Sequence, residues 1–326
     1  MPATTAAAAP TPKPQTTWTL ADPCAQAKGE NDKAIDNARR GLARTLCQSV
    51  LWLDGLSGYP GNVRSARQAN GRIELSYAHS AEESNSVLTG IDVNYRLPNL
   101  EHELSAFLGR DQANNYVAGR VEDFGLHTQL MEVEGGENWL AGLGYSVPGL
   151  SSGATTKLSV GASAGRQPKV FVQGRYLASF AVTESSGWYV RETVFWRSRG
   201  EGFGSTTTLD YDRALGPSLL LRWNTVATWS EENHGVHWRS SLMLYQNFHL
   251  RRAMAYETFV RGQSETGVPL REYGVRAFYR ESLNGRWVYG ELMGGYSWLK
   301  DLPDTPRRGS VMVGVGIDLL FGRANQ

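Results

Sequence analysis

The sequence predicts an all-β protein, an antiparallel up-and-down barrel of about fourteen strands with twelve or sixteen as the neighbouring even counts, behind a short N-terminal helical segment. Three observations predict it. From Arg72 to Phe321 the hydrophobic pattern keeps period 2, and side chains alternate faces along a strand. Every second connection between the alternating segments is short, as hairpins require. The 326 residues include 36 Gly, 14 Tyr and 10 Trp, which suits many turns and aromatic rims. A soluble β-sandwich alternates in the same way, but rarely needs fourteen similar strands.

In chain order, residues 1–23 are an Ala/Thr/Pro-rich tract, expected to be a disordered tail. Residues 24–70 read as a cap or plug segment. Within it Ile35, Ala38, Leu42, Leu46, Val50 and Leu53 recur at helical spacing over 31–53, behind Asn31 or Asp32 as caps. Gly55, Gly58, Pro60 and Gly61 then stop the helix. The barrel is expected over 71–322, and a short tail over 323–326.

The strands follow in order. Ile73, Leu75 and Tyr77 share the first apolar face, then Ile91 and Val93, then Leu104 and Leu108. Trp139, Leu143 and Tyr145, Leu158 and Val160, and Val170 and Val172 continue the series. The segment 188–198 is less clean, because Glu192 shares a face with Val190, Val194 and Trp196. Leu209 and Tyr211, Leu221 and Trp223, Trp238 and Leu242, and Tyr256 and Val260 come next. Val275 and Ala277, then Leu292 and Tyr296, precede the last strand at 310–321.

Pro98-Asn99, Leu215-Gly216-Pro217, Arg251-Arg252 and Asn284-Gly285 are turn signals at one end of the barrel. Polar connections such as 230–235 and 302–308 fall at the other end. The longest, 111–136, contains a stretch at 124–132 that could add a strand.

The polar face carries both charge signs: Glu74, Asp92, Arg96, Lys157, Arg175, Arg222, Arg239, Glu257, Arg261, Glu272, Arg276, Arg280, Glu291 and Asp318. A basic residue facing lipid at mid-membrane would cost about 2–4 kcal/mol, so these residues are expected to face the lumen. The apolar face carries Trp and Tyr near its ends, as paired girdles at a membrane surface would. A basic ladder in an open lumen would select anions, whereas interleaved pairs would fill it. The interleaving of Glu257, Glu272 and Glu291 with the arginines favours pairs. With 33 Lys and Arg against 32 Asp and Glu, nothing suggests nucleic acid as a partner.

The end of the chain carries a more specific signal. Gly314, Ile317, Leu319 and Phe321 in GVGIDLLF resemble the C-terminal assembly signal of Gram-negative outer-membrane β-barrel proteins. The resemblance covers 72–321 and is generic to that class. It implies a bacterial outer-membrane location, with lipids, lipopolysaccharide and the barrel assembly machinery as partners. No signal peptide is visible in residues 1–14, so export implies that one has been removed. In an exported chain Cys24 and Cys47 are expected to form a disulfide worth about 3 kcal/mol; the alternative is two unrelated buried thiols.

The resulting expectation is a monomeric barrel, a narrow or plugged pore for small solutes. A second reading is an accessory barrel of a secretion or surface-assembly system, with residues 24–70 binding a periplasmic protein. A third is a lipid-modifying enzyme. Outer-membrane phospholipases use a His/Ser pair on one strand face, but the local His-x-Ser pattern is absent: Arg239 stands two residues after His237, and Ser241 four. No catalytic residue, metal site or cofactor is therefore expected.

Overall fold

The computed structural model describes residues 70–81, 84–96, 104–110, 124–132, 139–151, 154–164, 168–199, 202–232, 235–249, 252–284 and 287–321. Cys24, Cys47, the predicted helix over 31–53 and the cap segment they belong to lie outside the described residues, as does the tail at 323–326.

Fourteen strands form one closed antiparallel barrel in sequence order. They are β1 (Asn70–Ser80), β2 (Ser84–Arg96), β3 (Leu104–Arg110), β4 (Trp139–Ser151) and β5 (Ala154–Ala164). Next come β6 (Lys169–Thr183), β7 (Ser186–Arg197), β8 (Gly202–Gly216), β9 (Leu219–Ser230) and β10 (Val236–His249). The last are β11 (Arg252–Gln263), β12 (Leu270–Asn284), β13 (Val288–Leu299) and β14 (Arg308–Phe321). Between β3 and β4 lies one helix, α1 (Gly125–Glu132).

The sequence places both ends of the sheet together. β14 pairs with β1 from Gly71↔Phe321 to Ser80↔Met312, so the last apolar strand closes the cylinder. Closure matters because an open edge leaves unpaired backbone groups that hydrocarbon cannot solvate. Phe321 therefore occupies the closing register, at the end that also holds the start of β1.

Each strand puts its apolar parity outward. Leu75, Val160, Val194, Val275, Leu292 and Val313 are all exposed, with Leu75 at 53% and Val275 at 48%. The opposite parity is inward and buried, including Glu74, Glu257, Glu272, Arg276, Arg280, Glu291 and Asp318. This arrangement is inverted relative to a water-soluble protein and fits a barrel in lipid.

Glycines serve the inner wall at one notable place. Gly142 and Gly161 face each other across β4 and β5. A Cβ on Gly142 would meet the Phe107 ring, and one on Gly161 the Phe171 ring, each at 2.7 Å. The two rings thus lie over the glycine pair, 6.2 Å apart between centroids.

The stretch 124–132 differs from expectation. It adds no strand to the sheet; Gly125–Glu132 is helical and buries Phe124, Leu126 and His127. The reason is its surroundings. Phe124 and Leu126 join Met243, Tyr245, Ala255, Phe259, Phe278, Met293 and Met312 in one apolar cluster. Those wall residues belong to the inward parity of β10 to β14, so the helix lies inside the barrel.

Candidate functional site

The site is the lumen around α1. A helix of eight residues is marginal alone, so tertiary contacts hold this one. At its start the backbone N–H groups of Gly125 and Leu126 donate to the two carboxylate oxygens of Glu291, at 3.0 and 2.7 Å. These are first-turn donors that have no partner within a helix, and a carboxylate there also complements the helix dipole. Within the same first turn, His127 Nε2 is 3.0 Å from Glu257 Oε1, and its ring meets the Phe278 ring edge-on at 5.3 Å. Phe124 packs against Tyr245 and Phe278, each at 6.1 Å between centroids.

Two groups of ion pairs flank the helix. Nearer the chain termini, Arg72 pairs with Glu74 at 2.5 Å and with Asp318 at 2.7 Å. Arg280 then bridges Glu291 at 2.8 Å and Asp318 at 2.9 Å, with its guanidinium 4.0 Å from the Tyr289 ring centre. Toward the other end, Glu257 faces Arg239 at 3.5 Å and Arg276 at 3.7 Å, and Arg261 pairs with Glu272. Arg276 also stacks 3.8 Å over Phe259. Buried ions of this kind persist only when paired, and alternating signs on facing strands supply the pairs.

The structure brings together nine of the residues expected in the lumen: Glu74, Arg239, Glu257, Arg261, Glu272, Arg276, Arg280, Glu291 and Asp318. Arg222 lies apart from α1, held by Asp212 at 2.9 Å. Lys157 and Arg175 sit directly across from each other on β5 and β6, away from the helix. Asp92 and Arg96 hold their strand positions on β2, but their side chains lie outside the described residues. Gly314 and Gly316 line the inner face beside Leu126, whose side chain stands 3.1 Å from a Cβ built on Gly314.

Sequence reasoning missed Arg72, His127 and Asp212, and the apolar part of the lumen. The signal was available in the alternation. Met243, Tyr245, Phe259, Phe278, Met293 and Met312 occupy the inward parity of four successive strands and β14, where a water-filled channel needs no apolar side chains. A cavity of about 40 Å³ remains beside Leu130, between Arg261, Glu272 and Met312. That is room for one or two waters.

His237 and Ser241 share the inner face of β10 but stand four residues apart, about 13 Å along the strand, which is beyond hydrogen-bond reach.

No family model matches the chain, and no curated protein matches it. Solved structures with a similar trace include the KdgM porin in complex with disordered oligogalacturonate, at 6% identity, TM-score 0.37, covering 77% of this chain and 99% of that one. Another is OccK11 of Pseudomonas aeruginosa, at 10% identity, TM-score 0.42, covering 78% of this chain and 96% of that one. A third is the anion-selective porin from Comamonas acidovorans, at 10% identity, TM-score 0.44, covering 78% of this chain and 98% of that one. A closed cylinder, apolar outside and ionic within, is the architecture of the outer-membrane β-barrels.

Proposed function

We propose that the protein is a bacterial outer-membrane barrel whose lumen is occluded by the α1 segment, a plugged pore for small solutes. The observation that supports this reading is the anchoring of α1 inside the barrel by Glu291 at its start and Glu257 at His127. With Asn70 and Phe321 at the periplasmic end of the barrel, β3 ends and β4 begins at the outer end, and α1 lies between those strands in sequence with its first residues at the level of Glu291. Ion pairs and apolar side chains of the wall pack around the helix, so in this reading a solute passes only where the segment shifts or thins.

The conductance of the purified barrel in a planar bilayer tests this. Replacing residues 124–132 by a Gly/Ser linker of equal length is expected to raise single-channel conductance several-fold while the barrel stays folded. Equal conductance before and after replacement would contradict the occlusion.

A further inference from the structure

Glu192 stands on the outer face of β7, in line with Val190 and Val194 and between Trp188 and Trp196. Each tryptophan is four residues away, about 10 Å along the membrane normal at roughly 3.3 Å per residue and a tilt of about 40°. The carboxylate is therefore near the centre of the apolar band. The other outward charges described, Arg213, Arg252, Arg271 and Glu281, stand toward strand ends. Ionisable groups at this depth are expensive and mark functional sites. Among the described residues, its one hydrogen bond comes from Thr207 Oγ1, which donates to Oε2 at 2.6 Å.

Glu192 is the first member of a polar seam. Thr207 faces it on β8, and Thr225 and Ser240 continue the outward mid-height positions on β9 and β10, their hydroxyls 2.9 Å apart. Thr258 follows on β11, exposed. On β1, β4, β5 and β14 the corresponding positions are Leu75, Leu143, Val160 and Val313, all exposed and apolar, and on β2 the exposed Thr89, paired with Leu75, is a hydroxyl flanked by Val87 and Ile91. The seam is also asymmetric: its carboxylate acceptor lies at the β7 edge and its hydroxyl donors on β8 to β11.

We propose that this seam is the interface between two copies of the chain, related by a two-fold axis along the membrane normal beside β8. Such an axis preserves depth, so one mid-height seam meets the other. It also makes the contact self-complementary: the acceptor edge of each copy meets the donor edge of its partner. Glu192 then gains a hydroxyl, that of Thr225 of the partner subunit, that lipid cannot supply. Four strand spacings of about 4.8 Å across a band about 25 Å tall bury on the order of 500 Å² per copy, near the lower bound for a specific interface. The inference replaces the monomer expected from sequence, and it rests on the membrane placement but not on the plug.

Sedimentation equilibrium of the full chain in detergent micelles tests it. The wild type is expected to be a dimer, and Glu192→Leu combined with Thr207→Val to dimerise roughly tenfold or more weakly while keeping heat-modifiable mobility on a gel. A photo-crosslinking residue at position 225 in native membranes is expected to give a product of twice the chain mass, and one at position 75 none. A detergent-requiring wild type that is monomeric, a variant that dimerises as well as the wild type, or a crosslink to a different protein overturns the proposal. A wild type fully soluble without detergent would instead overturn the membrane reading.

Discussion

Val275 and Arg276 are neighbours in the chain that face different solvents. Val275 is 48% exposed on the outer face, while Arg276 is buried between Glu257 and the Phe259 ring. Val275→Arg puts a cation in lipid at about 2–4 kcal/mol and is expected to lower barrel stability or block assembly. Arg276→Met keeps bulk but removes a cation from Glu257, which retains His127 and Arg239. Its expected loss is about 1–3 kcal/mol, so the two changes are closer in cost than parity alone suggests. Urea titration of refolded barrels in vesicles measures both; a neutral Val275→Arg would contradict the assigned register. At this scale the sequence was legible, because one residue of phase decides the face. Glu192 was equally visible as a break in its own strand's pattern, though the alternation could not say what covers it.

Among elements, the strands and the helix were not equally readable. Strands such as β12 and β14 announce themselves by alternation over a dozen residues and by the turns between them. α1 does not. It is short, it begins at Gly125, and its apolar residues Phe124, Leu126 and Leu130 also fit a strand phase. What makes it helical is the lumen: Glu291 takes its first two N–H groups and the apolar wall takes Phe124 and Leu126. Glu291→Gln replaces one acceptor oxygen by an amide donor facing those N–H groups and Arg280. Loss of a charge-assisted hydrogen bond of about 1.5–3 kcal/mol should quicken hydrogen exchange at Leu126 roughly tenfold or more. Unchanged exchange there would mean that the apolar contacts alone hold the segment.

At the scale of the molecule, closure and occupancy of the lumen decide what the barrel is. Closure rests on the ten-residue register between β1 and β14. Deleting residues 319–326 removes its end at Ile73↔Leu319 and Gly71↔Phe321, leaving backbone groups exposed to lipid. The truncated chain is expected to be degraded or to remain outside the membrane fraction, and full recovery of a folded barrel in that fraction would contradict the pairing. The charges were read as lumenal from cost alone, and the structure shows many of them as pairs around an inserted segment. The central claim is that this segment occupies the lumen. It is tested most directly by a disulfide between Leu126→Cys and Gly316→Cys, in a chain with Cys24→Ser and Cys47→Ser. A Cβ built on Gly316 lies 3.7 Å from that of Leu126, within the range for a disulfide. The account predicts that this bond forms nearly completely in the folded barrel, while Leu126→Cys paired with the outward Val315→Cys stays reduced. A folded barrel in which positions 126 and 316 fail to link would contradict it.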